Sequence, residues 1–395
     1  MNSEDNVAVI GGGSTGSSVA YHLAKAGHRV TLLEMDQIGS GMTSRSSANV
    51  RTHYSHEILV KMALYSLGQL RGMEGAGFVN SGMLYLISKE YESAARANVS
   101  MLKGAGVRED VLDRSQVASM FPEVSVDDVD YMLHEPESGY ADPVSTARTF
   151  AAMAQSAGAL VWPQTRVEKL ETSPQGPTTT LLLGDGRRVE FSKVVLCTNI
   201  WTNRLLSSSG IGGGDLLPLR VVPHPIVVYR RPPRYEGVKV IVSDYLNKAY
   251  YKPEGRSLLF GGSIDAELDK ANTTPEDCPR EAPDEYVSSY SELMMQRLPV
   301  MQDGRILNTY YGIYDSTPDE LPIVDELSGR GFPGVYTCVG LSGHGFKMCP
   351  AFGVMVTEML GGTERPIFDR SSFRLSRFEG QQLDGTHYQG LSSVV

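Results

Sequence analysis

The 395-residue chain predicts an α/β fold: a Rossmann-like parallel sheet built from separate parts of the chain, with an inserted, mostly antiparallel β-sheet domain. Three observations predict it. Strand, glycine-rich turn, helix and second strand follow one another between Val7 and Glu34. Two further short apolar runs, KVVLC and GVYTCV, recur far along the chain, as buried parallel strands do. Between them lie strand-like runs punctuated by Pro and Gly, which suits strands joined by tight turns.

Each element has its own signal. Val7–Ile10 is apolar and β-branched, as a strand covered on both faces requires. Gly11-Gly12-Gly13-Ser14-Thr15-Gly16 breaks it, and Ser17–Ala26 continues as a helix with Val19, Ala20, Leu23 and Ala24 on one face. Gly27 is placed to cap that helix, and Arg29–Glu34 is the second strand. Thr178–Leu183 and Arg188–Phe191 flank Gly184-Asp185-Gly186 as a hairpin. Lys193–Cys197, Val221–Tyr229, Ala249–Lys252, Ser257–Phe260 and Gly334–Val339 read as strands, and Ala282–Arg297 and Pro350–Leu360 as helices. The parallel-sheet domain is expected over 1–81, 143–205 and 305–395, and the inserted domain over 82–142 and 206–304. The polar tail after Arg377 is expected to be loosely held.

Composition narrows the function classes. Hydrophobic content of 41% and charged content of 21% are those of a globular protein large enough for two domains. A net charge of −10 argues against nucleic acid and anionic membrane surfaces as partners. Cys197, Cys278, Cys338 and Cys349 are scattered without a C-x-x-C pair, so neither a disulfide framework nor a metal site is expected. No charged segment leads into a long apolar run near Met1, and no run approaches the roughly 20 apolar residues of a membrane helix. The expected address is the cytoplasm.

Gly11-x-Gly13-x-x-Gly16 is a dinucleotide fingerprint. Its glycines allow the tight turn, the approach of a pyrophosphate and close helix–strand packing, and the helix N-terminus favours the phosphate charge. Glu34, at the end of the second strand, is placed to accept from a ribose 2′-hydroxyl and to repel a 2′-phosphate, which disfavours NADP. FAD and NAD remain open at this point. The segment Gly39–Tyr54, GSGMTSRSSANVRTHY, favours FAD: it is small, polar and carries Arg45 and Arg51, so it can wrap a second phosphate and continue toward an isoalloxazine ring.

VAVIGGGSTG…LLE, SRSSANVRTHY, KVVLCTNIW and YDSTPDELPIVDE…GLSGHGFKMCPAFG together resemble the D-amino-acid-oxidase-like flavoproteins, in the branch of sarcosine oxidase and glycine oxidase. The resemblance covers about Val7 to about Leu360 and implies a Rossmann-like FAD-binding domain beside a substrate domain. It implies cofactor contacts at Gly11, Gly13, Ser14, Thr15, Gly16, Glu34 and Met35. Others are implied at Gly41, Thr43, Ser44, Arg45, Ser46 and Val167, and at Ser342, Gly343, His344, Gly345, Phe346 and Lys347. The last group forms a turn before a helix whose N–H groups and Lys347 can face the flavin pyrimidine edge, where reduction places negative charge.

The same resemblance implies that Arg51 and Lys347 hold a substrate carboxylate and that Tyr314 lies near the substrate. Arg51 on the cofactor pyrophosphate, and Tyr314 as a packed core tyrosine, are the competing readings. The implied reaction moves a hydride from the carbon bearing nitrogen of a small amino acid or secondary amine to flavin N5, and the imine then hydrolyses. No general base is required, so His53, His56 and His344 are not assigned one. Tyr245, Tyr250 and Tyr251 are candidates for pocket wall or strand packing.

Three departures qualify the pattern. Gly312 stands where the sarcosine oxidase branch has its flavin-linking cysteine, so FAD is expected to be noncovalent. Leu259 aligns with the lysine associated with oxygen activation and Ser263 with a substrate-site histidine, with Lys248 and Lys252 nearby but not aligned. Thr198-Asn199-Ile200-Trp201 stands where the strand-end motif usually reads Ala/Thr-Gly-Ala-Trp. The electron acceptor is therefore either oxygen or a redox partner. A flavoprotein subunit of a larger dehydrogenase, a non-catalytic FAD-binding protein and an NAD-dependent dehydrogenase are the alternatives.

Overall fold

A computed structural model of the chain describes residues 6–172, 178–211, 216–233, 239–379 and 391. Strand β1 (Asn6–Ile10), helix α1 (Ser14–Lys25) and strand β2 (Arg29–Leu33) form the predicted opening unit. Val7, Ala8 and Val9 are fully buried because both faces of the sheet are covered: Val7 and Val9 face helices, and Ala8 faces Leu170, Leu181 and Phe191 of a second, antiparallel sheet. Each of the two valine side chains contributes roughly 1.5–3 kcal/mol by leaving water. The helix begins earlier than predicted. Gly13 is extended and caps it, so Ser14–Gly16 already belong to its first turn. Gly27 follows at φ +92°, a left-handed terminator that leaves α1 antiparallel to the next strand's approach.

The six strands of this sheet run in the order Ile323–Glu326, Val335–Val339, Lys193–Leu196, β1, β2, Leu160–Trp162. All neighbours are parallel except the antiparallel pair Ile323–Glu326 and Val335–Val339. A hydrophobic cluster under Val19, Leu23, Phe352 and Val356 joins α1 to the late helix Cys349–Gly361. The predicted hairpin pairs Thr179–Leu183 with Arg188–Phe191, and Val167–Thr172 adds a third strand.

The inserted sheet has eight strands in the order Arg305–Ser316, Arg220–Arg230, Leu258–Ser263, Ala249–Glu254, Ile241–Asp244, Met83–Ile87, Tyr131–Glu135, Asp110–Leu112. Only the pair Ile241–Asp244 and Met83–Ile87 is parallel. The helix Asp284–Arg297 covers one face, where Tyr290 and Met294 pack on Tyr251 and Leu259.

One boundary moves. Arg305–Ser316, which falls within the parallel-sheet domain if that domain resumes at 305, pairs with Arg220–Arg230 from Arg230↔Arg305 to Val221↔Asp315 and Arg220↔Ser316. It is therefore the edge strand of the inserted sheet. Its partner lies some 80 residues earlier in the chain, a long-range pairing that local pattern does not report. The predicted loose tail lies outside the described residues beyond Glu379, apart from Leu391, which is buried and bridged to Asp265. Among the described residues no helix is long and apolar enough to cross a membrane.

Candidate active site

The carboxyl ends of β1, Lys193–Leu196 and Val335–Val339 converge, the place where open α/β sheets bind ligands. The turn after β1 is closed so tightly that only glycine fits at two of its positions. A Cβ on Gly11, whose φ is +105°, would stand 2.4 Å from the Cys197 carbonyl oxygen. On Gly16 it would stand 1.8 Å from the Gly11 carbonyl oxygen. Gly13 is less constrained, its nearest obstacle being the movable Thr43 Oγ1 at 2.9 Å.

Helix α1 has no cap from its own N-cap residue and no acid in its first turn; its first N–H, that of Ser14, donates to Thr43 Oγ1 at 3.0 Å, and its positive end faces the cleft. Glu34 is buried and accepts from Gly12 N at 2.6 Å and Asp36 N at 2.9 Å. Burial, the largest influence, raises its pKa despite these donors.

One long cleft runs along this convergence. Gly11, Gly13, Ser14, Thr15 and Gly16 border it at the turn, and Glu34, Met35 and Val167 at one end. Gly41, Thr43, Arg45 and Ser46 form a wall, and Gly343, Gly345 and Phe346 lie opposite. Tyr314 borders it too, with its ring 4.3 Å from that of His224.

Other predicted contacts do not border the cleft. Ser44 is exposed and its hydroxyl bonds back to Ser40 O and Gly41 O, which holds the 3-10 turn Met42–Arg45 instead. Ser342 is buried, with its hydroxyl accepting from Thr317 N at 3.2 Å. His344 turns inward so that its Nδ1 lies 3.1 Å from the Tyr54 hydroxyl. The Lys347 ammonium folds back within the turn onto the Gly343 carbonyl at 3.1 Å, so it does not reach the cleft as drawn from sequence. In each case the side chain satisfies a nearby backbone or polar partner instead.

Behind that wall lies a buried polar cluster. Arg51 is 1% exposed, stacks 4.0 Å over the Tyr54 ring and donates to the His53 carbonyl. Lys347 is 7% exposed. Burial, then the nearby Arg51 charge, holds its pKa well below the ordinary lysine range. His53 Nδ1 meets Glu109 Oε1 at 2.7 Å in a fully buried pair. Glu135 accepts from Thr52 N at 2.7 Å and the Tyr85 hydroxyl at 2.9 Å, and burial raises its pKa. His56 precedes the helix Glu57–Gly72.

The candidate tyrosines divide. Tyr245 is buried edge-on to Tyr85, near Arg51, and Tyr250 packs against Gly262. Tyr251 points to the opposite face, into the core with Tyr290. Leu259 is on that core face as well, Lys248 pairs with Asp265 at 2.9 Å and Lys252 with Glu254 at 2.5 Å.

The family model for FAD dependent oxidoreductases of the DAO type matches residues 6–359. The chain belongs to that family. As a DAO-family oxidoreductase it takes FAD, and the cleft fits it: glycines 11 and 16 leave room only for hydrogen, the first turn of α1 borders it, and the lining includes both Glu34 and Tyr314.

The chain is similar to mitochondrial sarcosine dehydrogenase of Mus musculus, 25% identical over 97% of this chain and 42% of that protein. Glycine oxidase of Geobacillus kaustophilus is 25% identical over 95% of this chain and 98% of its own length. The chain thus spans less than half the length of the sarcosine dehydrogenase it matches. Among solved structures, L-proline dehydrogenase of P. horikoshii superimposes with TM-score 0.86 at 24% identity, covering 96% of this chain and 99% of that one. It shares this fold.

Sequence reasoning missed part of the lining of this DAO-family cleft. Thr165, Arg166 and Glu168 flank Val167, and Asn199, Trp201 and Asp315 also line the cleft. Asn199 and Asp315 lay inside quoted motifs, but their meeting depends on two distant strands.

Proposed function

We propose that the chain oxidises the carbon–nitrogen bond of a small amino acid or N-substituted amino acid. FAD supplies the hydride acceptor when bound. The observation that carries the reading is the burial of two cations, Arg51 and Lys347, directly behind the turn that borders the cleft. A guanidinium offers two parallel N–H donors to a carboxylate and an ammonium adds charge. Among the described residues no carboxylate is in ion-pair distance of Lys347, whose one hydrogen bond goes to Gly343 O. Tyr314, on the cleft, then closes the substrate end.

In this reading the chain's residues orient and desolvate. Arg51 and Lys347 fix the carboxylate, and the apolar wall of Phe346 and Leu341 excludes water from the reacting carbon. Gly11, Gly13, Ser14, Thr15, Gly16, Glu34, Thr43, Arg45, Ser46, Val167, Gly343, Gly345 and Phe346 hold the cofactor. With Gly312 at the position of the linking cysteine, attachment is noncovalent. The sarcosine dehydrogenase, twice as long and more, favours a second reading in which electrons pass to a partner and not to oxygen.

An anaerobic screen of N-methyl, cyclic and primary amino acids, following loss of flavin absorbance near 450 nm, on the order of seconds to minutes, tests both. Bleaching by one class identifies the substrate. Recolouring on admission of air selects oxygen as acceptor, and slow recolouring that a dye accelerates selects a partner. A flavin that no amine reduces would leave a non-catalytic FAD protein.

A further inference from the structure

Asp315 stands at the end of the edge strand of the inserted sheet, fully buried, and three donors from the parallel-sheet domain converge on it. Gly340 N donates to Oδ2 at 2.6 Å, Leu341 N to Oδ1 at 3.2 Å, and Asn199 Nδ2 to Oδ1 at 2.6 Å. Ser342 N also donates to the Asp315 carbonyl at 3.1 Å. One residue therefore ties the turn after Val335–Val339 and the turn after Lys193–Leu196 to the strand that carries Tyr314.

The tied backbone is strained. Asn199 and Ser342 are non-glycine residues at φ +48° and +44°, and Gly340 and Gly343 follow the same left-handed sense at +67° and +80°. Such conformations are costly for a side-chain-bearing residue and persist only when surroundings hold them. Here the holder is a buried carboxyl with no lysine or arginine ion pair among the described residues. Cys338, buried on the strand Val335–Val339 of the parallel sheet, is a titratable group that feels its charge.

We propose that Asp315 is the positioning residue of the flavin site: its carboxylate clamps the two strand-end turns against the substrate sheet, and so fixes the backbone that borders the cofactor cleft. The inference rests on FAD binding, which the family establishes, and not on the identity of the substrate.

Burial sets when the clamp is charged. It raises the Asp315 pKa to about 7, against the opposing pull of the backbone donors. Below that pH one accepting oxygen becomes a hydroxyl facing N–H donors, so the clamp weakens as pH falls.

The test is FAD affinity of the full chain between pH 5.5 and 8.5, about 1.5 units either side of the clamp's titration, read by flavin fluorescence. Wild type should lose affinity through a single-proton step near pH 7. Asp315→Asn places an amide donor against N–H donors and should weaken FAD at least about tenfold at pH 8, with the step gone. Asn199→Gly keeps the left-handed backbone and removes only one donor, so it should give a smaller loss with the step retained. If Asp315→Asn does not fold, the wild-type titration and Asn199→Gly decide. A flat wild-type profile, or unchanged FAD affinity in both variants, overturns the proposal.

Discussion

Replacing Arg51 separates the two roles it can have. Arg51→Lys keeps a cation but loses the two-pronged N–H geometry, whereas Arg51→Met keeps length and loses charge. The side chain is 1% exposed, so solvent does not compensate a missing contact. A charge-assisted hydrogen bond contributes about 1.5–3 kcal/mol, so the lysine variant should bind a carboxylate about 10- to 150-fold more weakly. Losing one partner of a buried charge pair costs about 2–5 kcal/mol, which places Arg51→Met at 30-fold to several-thousand-fold. Part of the cost to folding is separate: the 4.0 Å stack on Tyr54 contributes about 0.5–2 kcal/mol and is read as a fall in Tm. The assay is an anaerobic titration of the flavin spectrum with a carboxylate that lacks an amine, alongside FAD affinity. Normal carboxylate binding by Arg51→Lys together with loss of FAD would refute the assignment and move Arg51 to the cofactor pyrophosphate.

Gly16→Ala should abolish FAD retention, because its Cβ would lie 1.8 Å from the Gly11 carbonyl; a yellow purified variant with wild-type FAD affinity contradicts that packing. Gly312→Ala should fold and keep FAD, since the added Cβ meets only the Arg45 and His224 carbonyls at 3.5 and 3.8 Å; a large drop in Tm would count against it. Acid precipitation of the wild-type protein should release all its flavin into the supernatant, and colour remaining in the pellet would show a covalent bond. Lys347 has its pKa depressed by burial and Arg51, so its ammonium is lost as pH rises through that lowered value. Carboxylate affinity should accordingly fall with rising pH and be accompanied by proton uptake, both absent in Lys347→Met; pH-independent binding in wild type would exclude its role.

Much of the fold was legible because its signals are local. β1, α1 and β2 follow from an apolar run, a glycine break and a helical stripe, and the positions of Gly11 and Gly16 follow from contacts within one turn. The late strands, the hairpin and the helix Cys349–Gly361 were legible for the same reason. The segment 305–316 was not, because an edge strand is defined by a partner far away in sequence.

The sequence by itself determined the dinucleotide turn, the acidic residue that follows it, the insertion of a second sheet and the candidate cations. Each depends on residue type and spacing within a short window, where sterics and hydrogen bonding act. Only the tertiary structure decided which side chains share a space. It turned His344 and Lys347 away from the cleft, set Arg51 behind its wall, and brought Asp315 to Asn199 and Gly340. Burial is a property of the packed whole, and it shifts the Asp315 and Lys347 protons in ways that no local pattern encodes.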